Sequence, residues 1–408
     1  MDSSIQLEEM IQAYDQRDYH RARELVMQFL SQTLPPEDRV RAHAYHGYIL
    51  EALGDKAGAM QQYREALDLH PGSWWPLHLH YMLGVALRSG GNQEEARGEF
   101  AHAIEHSDAL ANDAACDEFL RALCELAILE YTRGDYEAAL RCADRANDTP
   151  RSANGGEGTV WFALDKVRGQ ACFWLERWQE SIPALRSALA IVPDTESEQR
   201  PLLMCYLGLA LCAIQQYGEA MNVLSQADMG EAQEPSIWIM RHVWMGNLYY
   251  LRNEFGKALE HFEHVIDRPP ATWGPSRDSL ARMADCYLTT GNYQRALTIA
   301  AMAYEEMHGN VLVHLEYANA LAVSGRPEEA RRVLEEIDES QIPPGLRERF
   351  LAHSAYVALR GHDRNRGEEW IAKLAAHNPF SRYLHSLRRS AASEERGIFH
   401  RWFRRQKS

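Results

Sequence analysis

The stretch AYHGYILEALGDKAGAMQQYREALDLHP, Ala44 to Pro71, decides the fold of this 408-residue chain. Apolar residues recur at helical spacing on both sides of Leu53-Gly54-Asp55, which predicts two amphipathic helices joined by a tight turn. Glycine in such a turn accepts positive φ where the first helix stops, and the Asp or Asn after it caps the second. The same signal returns at Ser89-Gly90-Gly91-Asn92, Arg133-Gly134-Asp135-Tyr136, Thr290-Gly291-Asn292-Tyr293 and Ser324-Gly325-Arg326-Pro327.

The packing residues of the quoted stretch recur too. Gly47, Gly84, Gly169, Gly208 and Gly246 each sit in a first helix. A small residue follows in each second helix: Ala59, Ala96, Ser181, Ala220, Ala258. Four residues later comes Tyr63, Phe100, Leu185, Leu224 or Phe262, and three more bring Ala66, Ala103, Ala188, Ala227 or Val265. Several units then close in proline, at Pro71, Pro193 and Pro270. The step is 37 residues from Gly47 to Gly84 and 38 from Gly208 to Gly246. The small residue lets two backbones approach, and the larger side chain fills the space beside it. Two helices per unit at this period predict a solenoid, an architecture that binds more often than it catalyses.

The pattern resembles the tetratricopeptide repeat family. Gly47, Leu50, Gly54, Ala59, Tyr63, Ala66 and Pro71 occupy family positions, and Met245-Gly246 to Pro270 matches nearly as well. Weaker units begin near Ser3, Leu120, Arg277, Val311 and Arg347, for about ten in all. The family's tryptophan near the start of the first helix is missing from most units. The resemblance implies an all-α, right-handed α-solenoid superhelix that holds an extended protein or peptide segment in its concave groove. Bacterial peptide-sensing regulators share such repeats and change shape on binding their ligand, which is the alternative function.

Composition sets the class. Hydrophobic residues make up 46% and charged residues 25%, the proportions of a folded globular protein. A net charge of −15 argues against nucleic acid as the partner, because phosphates need clustered Lys and Arg. The seven cysteines are Cys116, Cys124, Cys142, Cys172, Cys205, Cys212 and Cys286. They form no Cys-x-x-Cys pair and mostly fall in helical patterns, which suits a reducing cytoplasm. Met1 to Met10 has no apolar signal core. The longest uncharged stretch, Pro201 to Gly218, is too short and mixed to span a bilayer.

Catalytic motifs find no support. His102-Ala103-Ile104-Glu105-His106 matches a zinc-peptidase pattern, yet Ala103 is the packing alanine of its own unit and no motif supplies a third ligand. Gly155-Gly156-Glu157-Gly158 lacks a phosphate-loop lysine. The expectation is a non-enzymatic protein without metal or cofactor.

In the family, repeat positions 2, 5, 6, 9 and 12 of the first helices face the groove. Position 9 follows the glycine and runs Tyr48, Val85, Ile128, Gln170, Leu209, Asn247, Asp285, Asn319, Tyr356. Asn247, Asp285 and Asn319 are adjacent in this series, and amide groups can pair with a peptide N–H and C=O together. They are the expected backbone contacts. Trp244, Tyr250, Asp278, Arg282 and Glu316 flank them, and Lys166, Gln170 and Tyr206 supply earlier contacts. The carboxylate clamp that some repeats use for chaperone C-termini is absent: its series here begins Lys166, Gln170 and continues Tyr206, Met240, Trp244.

Four segments follow from the pattern: repeats over 3–146, a loop over 147–159, repeats over 160–380, and a basic segment over 381–408. The loop, Asn147 to Thr159, is rich in Gly, Asn and Ser and reads either as a hinge or as an inert insertion. From Arg382 to Ser408 the chain carries a net charge of +6, with Ile398, Phe399, Trp402 and Phe403 on one helical side. Arg382 to Arg389 is the expected solenoid cap, and the final segment offers a weak contact to an anionic membrane or acidic partner.

Overall fold

The computed structural model describes residues 3–69, 72, 75–106, 113–149, 158–228, 230–268 and 279–392. Pro71, Pro270, Asp278, the glycine run at 155–157 and the aromatic tail after residue 392 lie outside the described residues. Among the described residues the regular structure is helical, with 21 α-helices and no strand.

The chain divides into two compact units, residues 1–210 and 211–408. Unit 1 stacks five helix pairs: α1 (Ser3–Asp15) with α2 (Tyr19–Leu30), α3 (Pro36–Ala52) with α4 (Lys56–Asp68), α5 (Trp75–Ser89) with α6 (Gln93–Glu105), α7 (Asp113–Thr132) with α8 (Tyr136–Asn147), and α9 (Gly158–Trp174) with α10 (Trp178–Ala190). The helices on either side of the 147–159 segment, α8 and α9, pack together in this unit. The boundary between the units falls in α11 (Arg200–Ala213).

Unit 2 continues with α12 (Tyr217–Gln226), then α13 (Pro235–Leu251) with α14 (Phe255–Glu263), and α15 (Ser279–Thr290) with α16 (Tyr293–Glu306). α17 (Val311–Val323) pairs with α18 (Pro327–Glu335), and α19 (Pro344–Arg360) with α20 (Arg364–His377). α21 (Leu384–Ala392) packs on α19 and α20 through buried Leu384 and Leu387. Each unit is thus a run of consecutively packed helix pairs, an α-solenoid. Among the described residues no helix is long and apolar enough to cross a membrane.

Each of these nine pairs, and the connection from α11 to α12, turns on one left-handed residue. In chain order these are Arg17, Gly54, Gly91, Gly134, Glu176, Gln215, Asn253, Gly291, Gly325 and His362, all with φ between 59° and 90°. This is the αL helix stop, which glycine adopts freely and other residues only at a cost. The five non-glycine stops are why turn glycines alone reveal half of the repeats. Asp18, Asp55, Asp135, Asn292 and Asp363 follow and accept a backbone N–H of the next helix, as Asp55 Oδ1 does from Gly58 at 2.9 Å. Asn92 instead turns its Nδ2 to Glu95.

The repeat residues meet inside each pair. Ala59, Ala96, Ser181, Ala220 and Ala258 are fully buried. Gly47 lies against the Tyr63 ring, Gly84 against Phe100 and Gly246 against Phe262. A Cβ on Gly246 would come 2.5 Å from Phe262 Cε1, closer than any real contact. Ser181 replaces the usual alanine and donates its Oγ to the Gly169 carbonyl at 2.7 Å, so the substitution leaves no orphaned hydroxyl.

Candidate binding face on the first helices

First helices of successive pairs pack on one another in unit 2: α13 on α15, α15 on α17, α17 on α19. The sequence-predicted polar residues on these helices lie beneath the surface. Asn247 is 0% exposed, Asp285 1% and Asn319 3%. Asn247 Nδ2 donates to Ser279 Oγ at 2.8 Å, while its Oδ1 is buried without a hydrogen-bond partner.

A chain of polar contacts crosses four first helices. Tyr250 on α13 donates its OH to Asp285 Oδ2 on α15 at 2.6 Å. Arg349 on α19 donates to the same oxygen at 3.3 Å and pairs with Glu316 on α17. Burial alone would lower the Arg349 pKa, but the Glu316 and Asp285 carboxylates override it and hold the guanidinium firmly charged. Burial, with the Asp285 charge added, pushes the Tyr250 phenol up, so it stays a donor. Buried charges survive in a protein interior when paired in this way.

Of the flanking residues, Trp244, Tyr250 and Arg282 are half-buried and lie at the surface of this face. Glu316, 1% exposed, belongs to the buried ladder. In unit 1, Lys166 is half-buried, pairs with Glu196 at 3.5 Å and lies 5.2 Å over the Phe162 ring. Gln170 is buried in α9. Tyr206 is buried too, its OH 3.2 Å from that of Tyr131 and its ring edge-on to Phe173. Lys166, Gln170 and Tyr206 therefore belong to a different unit from the Asn247–Asp285–Asn319 series.

Arg349 is the member that sequence reasoning missed. A signal for it exists in the register. Counting position 9 at Asn247, Asp285, Asn319 and Tyr356, the ladder residues Tyr250, Asp285, Glu316 and Arg349 occupy positions 12, 9, 6 and 2. Each partner sits earlier in its own repeat, so contacts run diagonally across the helices. In unit 1, Arg88 at position 12 of α5 pairs with Glu125 at position 6 of α7, in the same direction but with a larger step. Comparing one position down all units, as an equal-register reading does, cannot find such a pair.

The His102 motif is a helix surface. Ala103 is buried in its pair, and His102 Nδ1 lies 3.4 Å from Glu105 Oε2 on the exposed side. Among the described residues no His, Cys, Asp and Glu cluster is arranged to hold a metal ion.

Tetratricopeptide repeat models match residues 9–73, 120–145 and 291–341, three separate parts of the helix-pair array. The chain carries tetratricopeptide repeats. Its repeats are those of a protein-interaction scaffold. No curated protein sequence matches the chain. Among solved structures, the chain is similar to the Naa15/Naa10 assembly bound to HypK-THB, at 14% identity and a TM-score of 0.39. That match covers 95% of this chain and 65% of the other, so the protein spans under two thirds of that relative's length. The tetratricopeptide domain of P58(IPK) matches at 14% identity and a TM-score of 0.32, covering 93% of this chain and 100% of that one. The C-terminal part of a tetratricopeptide repeat-containing protein from Cytophaga hutchinsonii matches at 14% and 0.37, covering 65% and 98%.

Proposed function

We propose that the protein holds an extended segment of a partner along the first-helix face of unit 2, acting by binding rather than catalysis. The observation that carries this reading is the ladder of Tyr250, Asp285, Arg349 and Glu316, which ties four successive first helices on one face. Polar groups buried in such a network fix positions at the surface above them. The half-buried Trp244 and Arg282 then offer an aromatic ring and a guanidinium to a ligand, the residue types enriched where binding energy concentrates. Asn247, Asp285, Asn319 and Glu316 act underneath by setting helix spacing. Lys166 is the corresponding surface contact in unit 1.

A cytoplasmic location belongs to the same proposal. All seven cysteines are buried thiols, and burial pushes Cys124 and Cys212 up to about 12, which keeps them protonated and unreactive.

Peptide-library capture by the wild type and by Trp244→Ala/Arg282→Ala tests the reading. The pair should lose most captured peptides while melting as the wild type does. Equal capture by both proteins would overturn it.

A further inference from the structure

Unit 2 carries a turn that presents an aromatic ring. Asn378, Pro379, Phe380, Ser381 and Arg382 connect α20 to α21. Glu348 on α19 grips the turn at two points, accepting from Asn378 Nδ2 at 3.1 Å and from Ser381 Oγ at 2.7 Å. Asn378 Oδ1 accepts from the Phe380 backbone N–H at 3.1 Å, and the Ser381 N–H donates to the Asn378 carbonyl at 3.0 Å. The backbone is therefore held on both sides of Phe380, and its side chain stands 93% exposed. Among the described residues the next most exposed large apolar side chain is Met27, at 54%.

The ring borders a cleft of about 450 Å³ whose walls include Leu346, Arg349, Tyr383 and Glu348, the last with its carboxylate taken up by Asn378 and Ser381. Its rim is basic. Arg382 lies 5.0 Å over the Tyr383 ring and donates to the Tyr383 OH at 3.0 Å. The outer face of α21 adds exposed Arg388 and Arg389, and that helix contains no acidic residue. The chain as a whole is acidic, at −15, yet Arg382, Arg388 and Arg389 make no ion pair with any described residue. An exposed ring held at a cleft beside three guanidiniums that no described carboxylate pairs is suited to a ligand that brings both apolar surface and carboxylates.

We propose that this turn and the outer face of α21 form a docking site for a short acidic segment of a partner protein. Its carboxylates face Arg382, Arg388 and Arg389, and one apolar side chain lies on Phe380 in the cleft. The concavity favours a chain segment over an anionic bilayer, because a segment fills a cleft and a flat surface does not. The site does not rest on the ladder reading above, and none of the side chains substituted below belongs to that ladder.

An array of short synthetic peptides, varying glutamate and leucine content independently, tests the proposal with the full chain. Vesicles of phosphatidylserine and phosphatidylcholine are run in parallel. Binding should require both residue types and weaken as salt rises. Phe380→Ser and the triple variant Arg382→Gln/Arg388→Gln/Arg389→Gln should each lower affinity roughly tenfold, as loss of an anchor does. All these side chains are exposed, and unchanged melting curves confirm that the fold is intact. Four outcomes overturn the proposal: both variants binding as the wild type, lysine-for-glutamate peptides binding equally, no peptide binding at all, or binding to vesicles alone.

Discussion

Arg349 on α19 donates to Asp285 on α15, two repeats earlier in the chain, at 3.3 Å. The contact bypasses the intervening first helix α17, whose Glu316 pairs with the same guanidinium. One half-buried cation, bound to two buried carboxylates, thus holds three consecutive repeats of unit 2 in register. Removing it as Arg349→Met leaves two nearly inaccessible carboxylates without their shared partner. The expected loss is about 3–5 kcal/mol of unit 2 stability, read from the urea midpoint, because an uncompensated buried charge is costly. A loss below about 1 kcal/mol would mean that the pair contributes no more than a surface ion pair.

Glycine–aromatic packing sets the spacing inside a pair. Ala258→Leu should overpack α13 against α14 and cost roughly 1–3 kcal/mol. Gly246→Ala should cost a comparable amount, since its new methyl would meet Phe262 on a rigid ring. Thermal melts of both variants check this, and wild-type melting by either one would contradict the close approach.

Five helix-to-helix turns use a residue other than glycine in the left-handed conformation. Glu176, with φ 59°, is one, and its side chain is exposed. Glu176→Gly should raise stability by about 0.5–1 kcal/mol, because the αL strain outweighs the extra freedom glycine has when unfolded. The reverse change, Gly134→Ala at φ 84°, should destabilise by a similar amount. Denaturant titration of both compares the signs directly.

Acid should loosen unit 2. His242 Nδ1 faces His261 Nδ1 at 3.1 Å in the α13–α14 pair, with the His264 ring 4.5 Å from His242. Burial first, and then the His261, His264 and Arg241 charges, lower His242 to about 3. Burial with Arg241 and His264 lowers His261 to about 4. Burial and the Arg349 charge lower His353 on α19 to about 3. The folded values lie below the ordinary 6.5, so the unfolded chain takes up protons first as pH falls. Stability is whole above about pH 6.5 and declines toward the folded values, by roughly 1 kcal/mol per imidazole at about pH 5.5. Melting followed across this range should show the decline, and His242→Phe/His261→Leu should flatten it. A profile unchanged by the double variant would assign the acid sensitivity elsewhere.

The local sequence determined the helix pairs and their packing residues. Gly47, Ala59 and Tyr63 meet inside one pair, and helical period with a turn glycine fixes them within some thirty residues of chain. The half of the turns that lack glycine had to be found by repeat spacing, and only backbone geometry shows that Arg17, Glu176, Gln215, Asn253 and His362 adopt the same stop. The Asn247, Asp285 and Asn319 series was visible as a register, but not its depth. Whether a groove position lies above or below the surface depends on how first helices of different repeats approach, which no single repeat encodes. That approach placed Asp285 and Glu316 out of water and brought Arg349 to them along a diagonal of positions 12, 9, 6 and 2. It also left Phe380 outside, held there by Glu348 from a helix some thirty residues earlier. Periodicity is a property of neighbouring residues and can be read from the chain, whereas burial and ion pairing between repeats are properties of the stacked helices.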